Sequence, residues 1–483
     1  MVTWLAVLSG LGHALLAAAG LLVYVLATRI GHQRRHPSAA VSWVGGIVLF
    51  PYVAVPLFLM FGMRKFARPL RRKRAAIPGP VPQAAVPPPH AGPAWAVQLL
   101  ACMELAPPVC NRTIELHSQG AQALAGLMNV IERATRSLEV CTFVFGNDEI
   151  GERVSQALLR AAQRGVVVRL LVDAVGSLQT RRGALAALRD GGVQVRRFMP
   201  LLQNPMEGRT NLRNHRKLVV ADGVLLWGGG RNLATEYFLD RHGHPAWVDL
   251  SYEVDGPLAA QAAAQFDADW QLASGHAHHM LPPPQPSAVL APSVPGSTTD
   301  GRADPGPWAQ WLPSGPDHAD DTVHTLLLAG AFHAQRSIVA VTPYFVPDDA
   351  LVAAWCLACR RGVQVSLLLP RRSNHHLADW ARDRALRDLV AAGAQVWLAS
   401  EMVHAKAVIV DDELALSGSV NLDARSLFLN YEAMTVFYGE QEVRWYTDWC
   451  ARHIAQAQPY DARRPSRARD IAEGMVRSIA FQL

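Results

Sequence analysis

The chain contains the same constellation of residues twice. In the first copy, His215 and Lys217 are followed by Asp222, by the small-residue turn Gly229–Gly230 and by Asn232. The second copy repeats this order at a constant distance of 189 residues (404 minus 215 for the histidines), with His404, Lys406, Asp411, Gly418–Ser419 and Asn421. One His-x-Lys pair would mean little, but five matched positions indicate that a structural unit was duplicated.

The duplication extends well beyond this motif. The stretch from Arg136 to Phe145 matches the stretch from Arg336 to Phe345, with Arg-Ser, Thr and Phe at equivalent positions. In the same way, Arg164-Gly165-Val166 matches Arg361-Gly362-Val363. We therefore predict two similar lobes related by pseudo-twofold symmetry, an arrangement that brings their equivalent loops together.

Strands alternate with helices inside the first lobe. Short apolar runs predict strands and longer amphipathic runs predict helices: Leu138–Phe145, Val166–Val172 and Val193–Phe198 as strands, and Ala121–Thr135, Ile150–Arg164 and Gly183–Asp190 as helices. This alternation predicts an α/β fold in which each lobe is a mixed sheet flanked by helices. We place the lobes at 111–275 and 308–483, with a basic, Pro-rich linker at 66–110 and an interlobe linker at 276–307.

Two apolar runs without charged residues open the chain, Val2–Ala27 and Ala40–Met63. Each is long enough to cross a bilayer, so residues 1–65 are predicted to form a transmembrane helical hairpin, with a buried soluble hairpin as the alternative. Pro51 and Pro56 are expected to kink the second span. The basic residues that follow favour a cytoplasmic location for both lobes: Arg64, Lys65, Arg68, Arg71, Arg72, Lys73 and Arg74.

The net charge of +6 and the pI near 9.1 indicate an anionic partner, either a phospholipid surface or nucleic acid. The apolar hairpin argues against nucleic acid, as does the lack of a basic–aromatic run for base stacking. Two interpretations stay open for Arg371 and Arg372, contact with lipid headgroups and plain exposed surface. The six cysteines show no disulfide pattern, and the pair Cys356 and Cys359 lies in a helix-like stretch without a second pair.

Each His-x-Lys pair precedes an apolar run that is typical of a strand. Residues two apart on a strand project from the same face, so we expect the imidazole and the ammonium group to share a face. Small residues at Gly230 and Ser419 let the next turn approach closely. Asn232 and Asn421 are then expected to add amide donors for a bound substrate.

Two such faces brought together would hold two imidazoles, two ammonium groups and two amides. No residues with metal-ligand spacing accompany them, so the sequence predicts a phosphodiester site that uses no metal and no cofactor. The ammonium and amide groups would hold the non-bridging oxygens, one histidine would form a covalent phospho-enzyme, and the other would transfer protons. The alternatives are ordinary core histidines, a nuclease and a non-catalytic lipid-binding scaffold.

The motif resembles the signature of the phospholipase D superfamily, His-x-Lys, four residues, Asp, six residues and Gly-Gly/Ser-x-Asn, and both copies fit it. Nearly the whole chain resembles the bacterial cardiolipin synthases of that superfamily, for example in Trp247-Val248-Asp249 and in the stretch from Asn421 to Leu427. The resemblance implies a multi-pass enzyme of the bacterial inner membrane that converts two phosphatidylglycerol molecules into cardiolipin and glycerol. A phospholipase D that hydrolyses phospholipids to phosphatidic acid is the alternative.

The resemblance also implies individual roles. Asp249 and Glu432 match, by context, the carboxylates that orient the catalytic imidazoles in this family. His215 is assigned as the nucleophile and His404 as the acid and base, although the two roles could be exchanged. The motif aspartates point away from the pocket in the superfamily and are expected to be structural: Asp222 and Asp411.

Overall fold

The computed structural model describes residues 2–30, 37–62, 92–200, 211–241, 243–274, 306–318 and 320–463, together with 465–467, 469 and 473–474. The basic segment at 64–74 and the greater part of both predicted linkers lie outside these residues. The described residues form apolar N-terminal helices followed by two α/β lobes, which is the predicted fold class.

Three apolar helices begin the chain, α1 (Val2–Ile30), α2 (Pro37–Leu49) and α3 (Pro51–Phe61). The stretch Gly10–Thr28 of α1 is long and apolar enough to cross a membrane, whereas α2 and α3 are apolar but shorter. The second predicted span is broken because Pro51 has no backbone N–H for a continuous helix and instead begins α3. Two full spans, and hence a multi-pass hairpin, are therefore not supported within the described residues.

A helix and a short strand lie inside the segment that we interpreted as a linker. Helix α4 (Ala94–Cys102) buries Ala96, Val97 and Leu100 in the core of the second lobe. Strand β1 (Val109–Cys110) pairs with Trp308 and Ala309 at the start of that lobe. The end of this segment therefore belongs to the folded second lobe, although its Pro- and Ala-rich composition gave no periodic signal.

The first lobe is built on a seven-stranded sheet. Its strands, in chain order, are β2 (Thr113–His117), β3 (Ser137–Thr142), β4 (Val167–Asp173), β5 (Gln194–Phe198), β6 (Leu218–Ala221), β7 (Leu225–Gly229) and β8 (Ser251–Asp255). Its helices are α5 (Gly120–Arg133), α6 (Glu149–Gln163), α7 (Arg182–Asp190) and α8 (Leu258–Leu272). The predicted strands and helices of this lobe are thus confirmed, with β3 ending three residues earlier than predicted.

The second lobe is built on a nine-stranded sheet. Its strands are β9 (Trp308–Ser314), β10 (Ser337–Val341), β12 (Gln364–Pro370), β13 (Gln395–Ala399), β14 (Ala407–Val410), β15 (Leu414–Gly418), β17 (Glu432–Phe437) and β18 (Gln458–Pro459), together with β1. A separate pair joins β11 (Phe345–Val346) to β16 (Leu422–Asp423). The helices are α9 (Thr322–His333), α10 (Asp349–Arg360), α11 (His376–Ala381), α12 (Asp383–Ala392), α13 (Ala424–Phe428) and α14 (Glu440–Gln456).

The two sheets have the same topology. The first has the order β2-β8-β7-β6-β3-β4-β5, and the second has β9-β17-β15-β14-β10-β12-β13, with β1 and β18 added at its edges. In both sheets the last three strands of this order run parallel and the other neighbours pair antiparallel. The duplication read from the sequence is therefore a duplication of a complete sheet.

The lobes share one hydrophobic core. Residues of both sheets pack with α8 and α14 in a single cluster that includes Leu226, Phe266, Ile409 and Trp449. The opposite face of each sheet is covered separately, by α5, α6 and α7 in the first lobe and by α4, α9, α10 and α12 in the second. This common core holds the two sheets against each other and fixes the relative position of the two motifs.

Candidate active site

Each His-x-Lys pair lies directly before a strand, at the edge of the sheet where the antiparallel neighbour β3 or β10 ends. Lys217 precedes β6 and Lys406 precedes β14, so the expectation that these residues belong to the strands themselves is wrong by a few residues. Their backbone bonds cross between the lobes instead. The His215 N–H donates to Tyr431 O (2.8 Å), and the His404 N–H donates to Val248 O (2.7 Å).

Each histidine takes its carboxylate partner from the other lobe. His215 Nδ1 lies 3.0 Å from Glu432 Oε2, and His404 Nδ1 lies 2.6 Å from Asp249 Oδ2. Both carboxylates are fully buried. A carboxylate at Nδ1 favours the tautomer that carries its proton there, which leaves the Nε2 lone pair available to a substrate. This reciprocal exchange is what a pseudo-twofold relation between the lobes produces.

The small-residue turns of the two motifs, at Gly230 and Ser419, lie against these carboxylates. A Cβ atom on Gly230 would lie 2.2 Å from Asp249 Oδ1, so only glycine leaves room for that carboxylate. At the equivalent position, the Ser419 hydroxyl donates to Glu432 Oε2. Asn430 Nδ2 also donates to Glu432 Oε1 (3.3 Å), and the Leu250 N–H donates to Asp249 Oδ1 (2.7 Å).

The two lysines are buried close to the two histidines. Lys217 Nζ donates to His215 O (2.7 Å), and Lys406 Nζ lies 2.7 Å from His404 Nδ1. Within the described residues, neither ammonium group forms an ion pair with a carboxylate. Burial, opposed by the charge of Glu432 and assisted by that of Lys406, lowers the pKa of Lys217 to about 7. Burial likewise lowers the pKa of Lys406 to about 8. Two buried cations without a direct counter-charge form a site for an anion.

The two motifs form one electrostatic unit. Burial lowers the pKa of His404 to about 3, and the charges of Lys406 and Lys217 contribute. Burial also lowers the pKa of His215, with contributions from the same two lysines. Each imidazole therefore senses the ammonium group of the other lobe. Both imidazoles are neutral at neutral pH when the pocket holds no substrate.

The motif asparagines differ in their surroundings. Asn232 Nδ2 donates to the Tyr237 hydroxyl (2.7 Å), and its Oδ1 accepts from the Val144 N–H (3.2 Å). Asn421 is buried, and within the described part of the chain its Oδ1 has no hydrogen-bond partner. A buried unpaired amide oxygen is rare in folded proteins, so the amide of Asn421 has capacity for a ligand.

Three aromatic rings that we did not predict contact the histidines. The Phe143 ring lies 5.0 Å from the His215 ring, and the rings of Tyr237 and Trp247 lie 5.1 and 5.3 Å from the His404 ring. Trp247 occurs in the Trp247-Val248-Asp249 stretch, which was the signal that could have identified it. These rings exclude water from the imidazoles and limit their rotation.

The motif aspartates lie away from this pocket. Asp222 accepts hydrogen bonds from the backbone N–H groups of Thr135, Arg136 and Ser137, at the start of β3. Asp411 does the same for Gln335, Arg336 and Ser337, at the start of β10. These bonds lower the pKa of Asp222 to about 2 against the effect of burial. In both lobes the aspartate joins the turn after β6 or β14 to the neighbouring strand.

A cluster that could hold a metal ion occurs elsewhere among the described residues. Glu115, His117 and Glu253 place their ligand atoms within 4.8 Å of one another on β2 and β8. His117 Nε2 already pairs with Glu253 Oε1 (2.8 Å). This group lies on the outer side of the first sheet and not among the motif residues.

Comparison with known proteins identifies the family of the chain. The sequence model of the family described as cardiolipin synthase, PLD-like domain, matches residues 127–270 and 329–454. The chain belongs to this family. It is an enzyme of the cardiolipin synthase type, and each matched range contains one complete copy of the motif.

Relatives with this name extend over nearly the whole chain. Cardiolipin synthase A of Klebsiella pneumoniae (strain 342) is 30% identical over 96% of this chain and 94% of that protein. Cardiolipin synthase A of Escherichia coli O1:K1 is 30% identical over 89% of this chain and 88% of that protein. Among solved structures, phosphatidylserine synthase of Haemophilus influenzae shares the fold, with a TM-score of 0.62 at 14% identity over 80% of this chain and 100% of that one.

Proposed function

We propose that the chain is a phosphatidyltransferase that makes cardiolipin from two phosphatidylglycerol molecules and releases glycerol through a phosphatidyl-histidine intermediate. The observation that carries this proposal is the pair of neutral imidazoles, each held at Nδ1 by a buried carboxylate of the other lobe, beside two buried ammonium groups. One imidazole can serve as a nucleophile and the other as an acid and base.

In the first half-reaction, the phosphodiester of phosphatidylglycerol binds between Lys217 and Lys406, which hold its non-bridging oxygens. The Nε2 atom of His215 attacks phosphorus, and the bond from phosphorus to the glycerol headgroup oxygen breaks. His404 donates a proton to this leaving oxygen. Glu432 stabilises the positive charge that develops on the imidazole of His215, because it accepts a hydrogen bond from the Nδ1–H group.

In the second half-reaction, a glycerol hydroxyl of another phosphatidylglycerol molecule attacks the same phosphorus. His404 takes the hydroxyl proton, and the bond between phosphorus and Nε2 breaks. The product is cardiolipin, and His215 returns to its neutral state. Water in place of the lipid alcohol would give phosphatidic acid, so the pocket must favour the lipid at this step.

The proton that His404 donates must arrive with the substrate. Burial and the nearby ammonium groups hold the pKa of His404 at about 3 in the free site. A bound phosphodiester carries one negative charge and lies between the same cations. It therefore raises the pKa of His404 and of both lysines, so that substrate binding is accompanied by proton uptake.

We also propose that the apolar segment Gly10–Thr28 anchors the protein in the bacterial inner membrane. The basic residues at 64–74 support a cytoplasmic position for the two lobes, because basic flanks are retained on that side. Phosphatidylglycerol in the cytoplasmic leaflet would then be the substrate pool. We assign no nucleic acid partner.

The experiment that tests this function supplies the purified full chain with phosphatidylglycerol vesicles and identifies the products by mass spectrometry. We expect equal amounts of cardiolipin and glycerol, and no product with His215→Ala or His404→Ala. Phosphatidic acid as the main product would contradict the proposal and would identify a hydrolase.

A substrate with an activated leaving group, such as a nitrophenyl phosphodiester of a lipid alcohol, separates the roles of the two histidines. Its leaving group needs no proton, so His404→Ala should still release nitrophenol once and retain a trapped lipid phosphate on the protein. His215→Ala should do neither. The opposite pattern would exchange the two roles.

A further inference from the structure

Two equivalent loops flank the site, one from each lobe. The first rim loop (residues 174–182) follows β4, and the second rim loop (residues 371–382) follows β12 and contains α11. Strands β4 and β12 occupy the same position in their sheets, so the loops leave the sheets at equivalent places. Both loops lie at the edge where β3 and β10 end and where the His-x-Lys segments begin.

The second rim loop is joined to the pocket through Tyr344 and the strand β11 that follows it. Ala378 and Ala381 of α11 pack with Tyr344 and Val346, and the Tyr344 hydroxyl donates to Asn374 Oδ1 (2.5 Å). Val346 belongs to β11, which pairs with β16 directly after the motif asparagine Asn421. Helix α11 is thus connected to Asn421 by two steps, its packing on Val346 and the pairing of β11 with β16.

The first rim loop is joined to the pocket through Phe143. The Ser177 hydroxyl donates to Phe143 O (2.9 Å), and the Thr180 hydroxyl donates to Phe145 O (2.5 Å). The Phe143 ring in turn contacts the His215 ring. Each loop therefore packs on the residues that follow β3 or β10, and these residues lie against the motif of the same lobe.

Both rim loops expose large apolar side chains to solvent. Leu178 is 61% exposed in the first loop, and Leu377 and Trp380 are 47% and 59% exposed in the second. A tryptophan is amphipathic and is favoured at the level of lipid headgroups. Exposed apolar side chains beside a site that accepts lipid indicate a surface that is covered by lipid in use.

Cationic side chains accompany these apolar ones. Arg181 and Arg182 are exposed in the first rim loop, as are Arg371 and Arg372 in the second. The acidic side chain of α11, Asp379, is already paired, since it contacts Arg382 (3.0 Å) and accepts from the Ser373 N–H (2.9 Å). The exposed charge of the rim loops is therefore positive and complementary to an anionic lipid surface.

We infer that the two rim loops dock on an anionic bilayer, with Leu178, Leu377 and Trp380 at the level of the acyl-chain boundary and the arginines among the headgroups. This inference rests on the proposed function, because it presents the pocket to lipid that is still in the membrane. A docked rim lets the phosphodiester enter the pocket while the acyl chains stay out of water. It also disfavours water as the acceptor alcohol.

The test compares the full chain with rim variants on two forms of one substrate. Leu377→Glu and Trp380→Glu place a charge where the bilayer would be, while neither side chain supports the core. We expect cardiolipin formation from phosphatidylglycerol vesicles to fall by about tenfold or more, in line with the loss of one buried apolar side chain per variant. Turnover of a short-chain, water-soluble phosphatidylglycerol by the detergent-solubilised chain should not change.

Matched control variants are available on the outer helices. Leu357 is 41% exposed on α10 and Phe332 is 56% exposed on α9, so Leu357→Glu and Phe332→Glu add the same charge at similar exposure but away from the rim. They should behave as the unchanged protein on both substrates. Equal loss in rim and control variants on vesicles would overturn the inference. So would an equal loss in the rim variants on vesicles and on the soluble substrate.

Lipids brominated along the acyl chain measure directly how deeply Trp380 enters the bilayer, because bromine quenches tryptophan fluorescence at short range. The difference between the full chain and Trp380→Phe isolates the signal of Trp380, and we expect that signal to be quenched in anionic vesicles. An unquenched Trp380 would overturn the docking inference. This reading does not depend on turnover, so absence of any lipid product would refute the proposed function separately.

Discussion

The two histidines are held by the same geometry with different supporting side chains. Asp249 fits beside His404 because residue 230 is glycine, whereas Glu432 receives a hydrogen bond from Ser419. The longer side chain, Glu432, is thus hydrogen-bonded to a hydroxyl group. The shorter one, Asp249, occupies space that a Cβ atom at residue 230 would fill. A substitution at 230 or 419 therefore acts on the opposite histidine of the pair.

The pKa values of the buried lysines predict how activity depends on pH. Both lysines must be protonated to hold a phosphodiester. Their pKa values lie at about 7 for Lys217 and about 8 for Lys406. His215 must be neutral to attack, and its pKa lies below the usual value for histidine. We therefore expect the lysines to make kcat/KM fall as the pH rises from about 7 to 8.

A pH series at constant ionic strength tests this expectation. The fall in kcat should begin at higher pH than the fall in kcat/KM, because the bound anion raises the pKa of both lysines. In the activity that Lys217→Arg retains, the alkaline fall of kcat/KM should begin at a higher pH. The reason is that a guanidinium group does not deprotonate in this range. A kcat/KM that rises through pH 8 would contradict the assignment of the lysines to the substrate anion.

At the scale of helices and strands, local sequence signals predicted most elements of the first lobe. The strands β3, β4 and β5 and the helices between them follow from apolar runs bounded by turns, such as the turn at Gly165, whose φ of +88° favours glycine. Helix α4 was missed because its segment is rich in proline and alanine. The break before Pro51 was expected only as a kink, since composition does not fix whether a proline bends or ends a helix.

The motif aspartates have a structural task at this scale, and Asp222 provides a test of it. Asp222→Ala removes acceptors for three backbone N–H groups at the start of β3, so we expect the free energy of unfolding to fall by about 1–3 kcal/mol. Asp222→Asn should lose less, because asparagine keeps one acceptor and tolerates the φ of +56° found there. Thermal unfolding in detergent measures both.

Turnover provides the contrast for these variants. Both Asp222 variants should retain cardiolipin formation per folded molecule, and Asp411→Asn should behave in the same way in the second lobe. His215→Ala should show the reverse, with unfolding little changed and activity lost. An Asp222→Asn protein that unfolds normally but has no activity would place this aspartate in the chemistry and refute the structural role.

At the scale of the whole molecule, the site depends on contacts that the sequence did not locate. The sequence named Asp249 and Glu432 as orienting carboxylates, but it did not show that each serves the histidine of the other lobe. Such pairings join residues 155 and 217 positions apart, and no local pattern reports them. They follow from the shared core between the sheets, so neither lobe alone has a histidine with its carboxylate.

Arg216 links the two lobes behind the site. Its guanidinium group is completely buried and pairs with Asp269 of α8 in the first lobe. It also pairs with Asp317 (3.1 Å) and donates to the backbone oxygens of Ser314 and Glu432 in the second lobe. The equivalent position in the second motif is an alanine, Ala405, so this link occurs once and is not repeated by the pseudo-symmetry.

We expect Arg216→Ala to lower the free energy of unfolding by about 3–5 kcal/mol, because it leaves the buried Asp269 without its cationic partner. It should also abolish cardiolipin formation, since the backbone of Glu432 loses its contact with the first lobe.

Arg169→Ala is the matched control: Arg169 also pairs with two acids, Glu139 and Asp267, but all three belong to the first lobe. Its loss should leave activity in place. Arg216→Met combined with Asp269→Asn should recover part of the stability without recovering activity, because residue 269 then carries no buried charge while the link to Glu432 is still missing. Recovery of both would show that Arg216 acts only as a counter-charge and that the lobes hold Glu432 in place without it.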